Sequence, residues 1–222
     1  MRPEHLALVP DAIDDVVAAS LPVAYLTAQI TLTLAGFKPG MTVLAPGIGG
    51  SVGNATYQLA RAQGASKVIS TAGSAAKAAK ARKLGFEDVV DLTAEDLAEG
   101  VRRITVGKGV DIVIESIGGA VTSEALSSLG PSGVLITLGY SGGRKTTIDV
   151  TDLIWKRARM AGFSLFAQSP IAIADAWRNF LPLIVSGSVK PLIERVYPLS
   201  EAGEALRHLI EDRPFGKVIL AG

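Results

Sequence analysis

Residues 42–55 read Thr-Val-Leu-Ala-Pro-Gly-Ile-Gly-Gly-Ser-Val-Gly-Asn-Ala and are the most informative segment of the chain. A short apolar run leads into a turn with Gly47, Gly49, Gly50 and Gly53, and a helical sequence follows. Glycines at such a turn allow a sharp bend, a close approach of backbone N–H groups to a pyrophosphate, and tight packing of helix on strand. A helix N-terminus adds partial positive charge there. The stretch predicts a dinucleotide site; a structural glycine turn and a methyltransferase-type loop are the alternatives.

Short apolar runs alternate with Ala-rich segments along the chain, which is typical of an α/β fold with a buried parallel sheet. Six such runs predict strands at 41–45, 67–71, 88–91, 110–115, 134–138 and 159–166. Ser74 is predicted to cap a helix that closes at Gly85, and Thr93 with Asp96 resembles a capping box. A helix is predicted from about 171 to 185. The strand-like runs 194–199 and 217–220 lie beyond it and are expected outside the main sheet.

The charge of the 222-residue chain is unevenly distributed, although its net value is only +1. Residues 16–86 contain seven Lys and Arg residues but no Asp or Glu, so the remainder is net negative. One interpretation is a buried region that needs few charges, and the other is a site for an anion. A nucleic-acid surface is not expected, because the whole domain would then be basic.

The composition excludes several other classes of protein. With no Cys and two His, the chain cannot build a disulfide framework, a Cys-ligated zinc site or a His-rich metal site, so no metal ligands are assigned. The uncharged stretch 16–37 is interrupted by Ser, Pro, Thr and Gln residues, which favours a buried helix over a membrane span. Residues 1–15 lack a continuous apolar core, and we therefore expect a cytoplasmic protein.

The segment after the second predicted strand discriminates between cofactors. In an NAD site, an Asp or Glu about 20 residues beyond the glycines binds the ribose 2′-OH. Gly73 stands at that position, and residues 67–85 contain no acid. The Ser74 hydroxyl and the Lys77 ammonium, at a helix start, suit a 2′-phosphate. The sequence therefore favours NADP(H) over NAD or S-adenosylmethionine; alternatively, Lys77 lies on a solvated helix face with neighbouring lysines.

The order of motifs resembles the nucleotide-binding part of the medium-chain dehydrogenase/reductases, in their zinc-free quinone oxidoreductase-like branch. The resemblance spans nearly the whole chain. It rests on Leu21-Pro-Val-Ala-Tyr-Leu-Thr-Ala, the glycine turn, Thr71-Ala-Gly-Ser with Lys77, Gly109-Val-Asp-Ile-Val-Ile-Glu-Ser-Ile-Gly-Gly, 133–139, Ala161-Gly-Phe, Tyr197-Pro-Leu and Gly216-Lys-Val-Ile-Leu. It implies a Rossmann domain with a doubly wound six-stranded parallel sheet. Leu92 departs from the pattern, because many relatives place an aromatic or imidazole ring there.

The resemblance also implies roles for individual residues. The backbone of Gly49, Gly50, Ser51 and Val52 would bind the pyrophosphate, and Gly73, Ser74 and Lys77 the 2′-phosphate. The ribose and nicotinamide would lie along 116–118, 138–140 and 162–163. The residues assigned to the site in these segments are Ser116, Gly139, Tyr140 and Phe163. Thr27 would lie near the carboxamide. Such residues also end buried strands, which is the structural alternative for them. No catalytic residue is assigned.

The implied organisation has three parts, in which a catalytic β-barrel is largely missing. Residues 1–20 would be a lead-in from that barrel, 21–190 the NADP(H)-binding domain, and 191–222 a tail that returns to the barrel. The expected activity is reduction of a quinone or an α,β-unsaturated carbonyl by hydride transfer from NADPH. The alternatives are a truncated, non-catalytic NADP(H)-binding module and, less favoured, a methyltransferase. Edge strand 159–166 is expected to form a homodimer.

Overall fold

A computed structural model describes residues 6–222, so the first five residues of the predicted lead-in lie outside the described part. The helices are α1 (Asp15–Ser20), α2 (Pro22–Leu34), α3 (Ser51–Ala62), α4 (Ala75–Lys83), α5 (Leu97–Ile104), α6 (Ala120–Ser127), α7 (Val150–Lys156), α8 (Pro170–Val185) and α9 (Ala202–Glu211). The strands are β1 (Thr42–Ala45), β2 (Lys67–Ala72), β3 (Val89–Asp91), β4 (Val110–Glu115), β5 (Leu129–Thr137), β6 (Arg159–Gly162), β7 (Ile193–Pro198) and β8 (Lys217–Ala221).

Six strands form one parallel sheet in the order β3-β2-β1-β4-β5-β6, which confirms the predicted Rossmann fold. The chain builds outward from β1 in one direction and from β4 in the other. The order therefore reverses between these two neighbouring strands. Open α/β sheets bind ligands at such a switch point, outside the carboxyl ends of the strands.

Helices cover both faces of the sheet, and successive strand residues enter different apolar cores. Val43 packs with α2, α3 and Phe180 of α8, whereas Leu44 packs with Leu97 of α5 and Leu126 of α6. Because both faces are buried, the strands are apolar at nearly every position rather than alternating. This explains why β1 to β5 were recognisable as apolar runs, whereas the four residues of β6 are exposed.

The uncharged stretch 16–37 forms two helices, α1 and α2, rather than the single helix expected. Pro22 begins α2, where its missing N–H costs no helical hydrogen bond. The threonines of α2 remain compatible with burial because their hydroxyls bond within the helix: Thr31 Oγ1 donates to the Thr27 carbonyl at 2.7 Å. Within residues 6–222, no helix is long and apolar enough to cross a bilayer.

The sixth strand is shorter than predicted. It ends at Gly162, and a 3₁₀ turn follows at Leu165–Ala167, where the sequence predicts strand up to residue 166. Its partner β5 ends at Thr137, whose carbonyl accepts one last bond from the Phe163 N–H at 2.9 Å. Beyond that point β5 offers no further backbone for pairing.

The predicted capping box is also wrong. Thr93 bonds backward instead, since both its N–H and its hydroxyl donate to the Asp91 carboxylate, at 3.0 and 2.6 Å. Helix α5 begins at Leu97, whose N–H donates to the Glu124 carboxylate of α6 at 3.0 Å. The predicted Ser74 cap is confirmed, because its hydroxyl accepts the Lys77 N–H at 3.3 Å.

The two late strands, β7 and β8, form a separate two-stranded parallel sheet, as their position in the sequence indicated. Helix α9 lies between them in the chain and contacts both. The turn into β8 brings residues 213–216 onto the glycine turn of the main sheet.

Candidate cofactor site

The glycine turn is fixed by the neighbouring strand β2. Thr71 is almost fully buried; its hydroxyl accepts the Gly47 N–H and its carbonyl accepts the Ile48 N–H, each at 2.9 Å. Gly47 has a φ of 81°, a conformation that glycine adopts without strain. Gly53 is required by space, because a Cβ there would lie 2.4 Å from the carbonyl oxygens of Pro46 and Gly47. Thr71 thus positions the turn, a role that sequence reasoning missed.

Helix α3 begins directly after this turn and leaves its first amides open. Gly50 is the N-cap and provides no side-chain acceptor. The N–H groups of Gly49, Ser51 and Val52 donate no hydrogen bond within residues 6–222. Open amides at a helix N-terminus, together with the helix dipole, suit a phosphate or another anion.

A cleft of about 330 Å³ lies beside the turn. It brings together the predicted residues Gly49, Gly50, Ser51, Gly73 and Lys77. The remaining lining comes from the glycine turn, β2, α9 and the segment that follows α9: Gly47, Thr71, Ala72, Leu209, Arg213, Pro214 and Gly216. In the part of the chain that the structure describes, this lining has two cations and no carboxylate. Such a surface favours an anionic ligand.

The segment 213–216 covers one side of the cleft. Lys77 Nζ donates to the Arg213 carbonyl at 2.6 Å, and the Gly216 N–H donates to the Gly49 carbonyl at 3.1 Å. The buried Phe215 ring packs on Gly49, at 3.0 Å from where a Cβ would stand. Lys77 therefore points toward the cleft rather than along a solvated helix face. Arg213 was not foreseen, because no local pattern marks a contact 136 positions away.

Two further lysines near this segment are held differently. Lys80 Nζ lies 2.8 Å from the Glu194 carboxylate and 5.4 Å from the centre of the Phe215 ring. Burial lowers the pKa of the Lys217 ammonium, at the start of β8, because desolvation penalises its charged form. Neither Lys80 nor Lys217 lines the cleft, so Lys77 and Arg213 are the cationic residues of its lining among residues 6–222.

A second group of predicted residues lies in the loops that follow β4 and β5, which we call the β4 loop (116–119) and the β5 loop (138–143). The two loops touch through their backbones: a Cβ on Gly139 would stand 1.9 Å from the Ser116 carbonyl oxygen. The Gly142 N–H donates to the Ile117 carbonyl at 2.7 Å. Tyr140, in contrast, is 66% exposed, with the Arg144 guanidinium 5.5 Å from its ring centre.

The other predicted residues are more dispersed. Thr27 is buried in α2, Ser74 serves as the cap of α4, and Val52 is half-buried in α3. Phe163 packs partly buried on the main core beside the end of β5. The structure thus brings five of the seven residues predicted for the pyrophosphate and the 2′-phosphate into one cleft, without Val52 and Ser74. The residues predicted for the ribose and nicotinamide lie outside that cleft.

Comparison with known proteins identifies the family. Residues 51–186 match the family described as zinc-binding dehydrogenase. The chain belongs to the medium-chain dehydrogenase/reductases. It corresponds to their nucleotide-binding part, as its sequence motifs indicated. Within residues 6–222, no group of three or more His, Asp or Glu residues could hold a metal ion, and the sequence has no Cys.

Relatives in this family differ greatly in length. The chain is 35% identical over 218 residues to erythronolide synthase EryA2 of Saccharopolyspora erythraea, covering 97% of the chain but 6% of that protein. It is 31% identical over 229 residues to quinone oxidoreductase-like protein 2 of Bos taurus, covering 98% and 64%. The crystal structure of 2-haloacrylate reductase superposes with a TM-score of 0.85 at 31% identity, covering 96% and 68%. The chain therefore spans less than two thirds of the length of the erythronolide synthase and of the quinone oxidoreductase-like protein.

Proposed function

We propose that the chain is the NADP(H)-binding part of an oxidoreductase that reduces a quinone or an α,β-unsaturated carbonyl. The cleft beside the glycine turn carries this proposal, since it combines open helix amides with Lys77 and Arg213 and is lined by no carboxylate of residues 6–222. An acid at this place would bind the 2′-OH of NAD and repel a 2′-phosphate. The relatives support the reaction class, because they include a quinone oxidoreductase-like protein and a 2-haloacrylate reductase.

Each group of residues has a separate task in this proposal. The amides of Gly49, Ser51 and Val52 would bind the pyrophosphate, and Lys77 with Arg213 the 2′-phosphate. The β4 and β5 loops would receive the ribose and nicotinamide. When bound, NADPH supplies a hydride to the acceptor and becomes NADP⁺, while solvent provides the proton that completes the reduction. No side chain is assigned to proton transfer.

Lys77→Ala tests the cofactor preference. A charge-assisted hydrogen bond contributes about 1.5–3 kcal/mol, so we expect roughly 10- to 100-fold weaker NADPH binding with little change for NADH. The matched control is Lys83→Ala, an exposed lysine in the last turn of the same helix. Isothermal titration with both nucleotides measures the two affinities. An unchanged NADPH to NADH ratio in Lys77→Ala would remove Lys77 from the proposed site.

Turnover is tested separately by following NADPH absorbance with quinones and enones as acceptors. Consumption of NADPH supports the oxidoreductase. Binding without consumption by any acceptor supports the alternative, a cofactor-binding module whose acceptor site is incomplete in this chain. Failure to bind either nucleotide would overturn the proposal itself, and tight S-adenosylmethionine binding would favour a methyltransferase.

We also propose that two copies of the chain pair through β6. All four residues of this strand are exposed, and in residues 6–222 no strand pairs with its outer edge. Exposed strand edges invite pairing, and a two-fold axis would place Met160 of each copy close to the other. Sedimentation should show a dimer for the wild-type chain and a monomer for Met160→Glu. A wild-type monomer at micromolar concentration would contradict the proposal.

A further inference from the structure

Glu115, the last residue of β4, is a fully buried charged side chain that the proposed function does not use. Its Oε1 accepts the N–H groups of Ile117 and Gly118, at 2.5 and 2.7 Å. Its Oε2 accepts the hydroxyls of Thr122 and Thr137, at 2.9 and 3.0 Å. Burial of a carboxylate is costly unless it is fully hydrogen-bonded, so four donors at one side chain indicate a specific task.

The four donors belong to different parts of the molecule. Ile117 and Gly118 are in the β4 loop, Thr122 is in the first turn of α6, and Thr137 is the last residue of β5. The Glu115 backbone adds a further link, because its carbonyl accepts the Leu138 N–H at 3.0 Å. A single residue therefore connects the β4 loop to the helix that follows it and to the start of the β5 loop.

These loops cannot move independently. A Cβ on Gly118 would stand 2.5 Å from the Gly143 carbonyl oxygen, so the loops are in backbone contact. Ile117 also reaches the glycine turn, where its Cδ1 is 3.3 Å from the place of a Cβ on Gly47. The β4 loop thus lies between the glycine turn and the β5 loop, at the switch point of the sheet. A displacement at Glu115 would be transmitted to both loops.

We propose that Glu115 is a positioning residue for the nicotinamide half of the dinucleotide, acting through the β4 and β5 loops without touching the cofactor itself. This inference rests on the proposed function, which assigns the ribose and nicotinamide to these loops. The adenosine half depends on the glycine turn and Lys77, to which Glu115 makes no hydrogen bond. Glu115 should therefore govern the binding of one half of the cofactor and leave the other half unchanged.

Two substitutions separate the requirements at this position. Glu115→Gln keeps the length and one oxygen acceptor for the loop amides, but it turns a donor toward the two threonine hydroxyls, which can rotate to accept. Glu115→Asp keeps two acceptor oxygens but is one methylene shorter, so it cannot reach the loop and Thr137 together. Loop positioning therefore fails more severely in Glu115→Asp, and Glu115→Gln should restore part of it.

The experiment compares a whole ligand with half of it. NADPH and 2′,5′-ADP, which has the adenosine and the 2′-phosphate but no nicotinamide, are titrated into the wild-type chain and each variant. We expect Glu115→Asp to bind NADPH at least about tenfold more weakly, Glu115→Gln to lose less, and both to bind 2′,5′-ADP within about twofold of wild type. Thr137→Val, which removes one donor, is the milder variant that decides the matter if the Glu115 variants do not fold.

Glu124→Gln is the matched control, because the Glu124 carboxylate also accepts a backbone N–H, but from the start of α5. This variant should bind both ligands as tightly as the wild-type chain does. Equal weakening of NADPH and 2′,5′-ADP in the Glu115 variants would indicate a structural role only and overturn the inference. Unchanged NADPH binding in every folded variant would overturn it as well. A wild-type chain that binds neither ligand would instead show that the proposed function has failed.

Discussion

The loops that follow β1 and β4 occupy equivalent places on neighbouring parallel strands, yet their backbone amides are used in opposite ways. After β1, Gly49, Ser51 and Val52 donate no hydrogen bond within residues 6–222. After β4, the amides of Ile117 and Gly118 are both taken by the Glu115 carboxylate. One loop is left able to bind an external anion, whereas the other has an internal anion of its own.

The supports of the two loops differ in the same way. The glycine turn is held partly from far along the chain, by Phe215 and Gly216 before β8, and partly by Thr71 of the next strand, β2. The β4 loop is held locally, by donors within 22 positions of Glu115. A parallel sheet therefore fixes where ligand-binding loops lie, while long-range contacts and single side chains determine what each loop can bind.

The largest effect on stability is expected from a methyl group added at Gly53, directly after the glycine turn. In Gly53→Ala the new Cβ would meet two backbone oxygens at 2.4 Å, and neither can move without displacing the turn. We expect the free energy of unfolding to fall by more than about 4 kcal/mol, measured by urea denaturation. Gly73→Ala is the control, because nothing lies within 4 Å of its Cβ, and its stability should change by less than about 0.5 kcal/mol. Equal stability of the two variants would contradict the crowding at Gly53.

A smaller loss of stability is expected when Phe215, the distant support of the glycine turn, is removed, and the β4 loop should not be affected. Phe215→Ala removes a buried ring from Gly49 and should cost about 3 kcal/mol of stability. Hydrogen exchange should accelerate at the Gly50 amide, which bonds to Gly47 in the turn, and stay unchanged at the Gly118 amide, which Glu115 holds. Phe166→Ala is the control, because Phe166 is 94% exposed. It should change neither the stability nor the exchange rate of the Gly50 amide. Faster exchange at both amides would mean that the two loops share their support.

Local patterns were sufficient to predict the sheet. Apolar runs located β1 to β5 because both faces of that part of the sheet are buried, and Ser74 was recognisable as a cap because its partner is three residues away. The prediction for Thr93 was wrong because both Asp91 and Asp96 are possible acceptors near it. The sequence pattern does not show that Thr93 bonds to Asp91. The sixth strand was overestimated because its end depends on where β5 stops.

The candidate site was predictable only where neighbours in sequence form it. The glycine turn and Lys77 follow from the motif, but Arg213 lines the cleft and Phe215 packs on Gly49 from the segment before β8, and no periodicity predicts these contacts. Glu115 left a signal that was not used: an acid that ends an apolar strand run must find donors or stay exposed. Its four partners become visible only when β4 and β5 are paired.

The smallest effect tests whether the open amides after β1 are reserved for a ligand. Ser51→Asp places a carboxylate in the first turn of α3, where the helix dipole should raise the free energy of unfolding by about 0.5 kcal/mol. The same charge would stand where the pyrophosphate is proposed to bind, so NADPH should bind about tenfold more weakly. Ser51→Asn has a similar size without the charge and should preserve most of the affinity. Equal NADPH affinities in the two variants, measured by titration at low ionic strength, would show that the anion binds elsewhere.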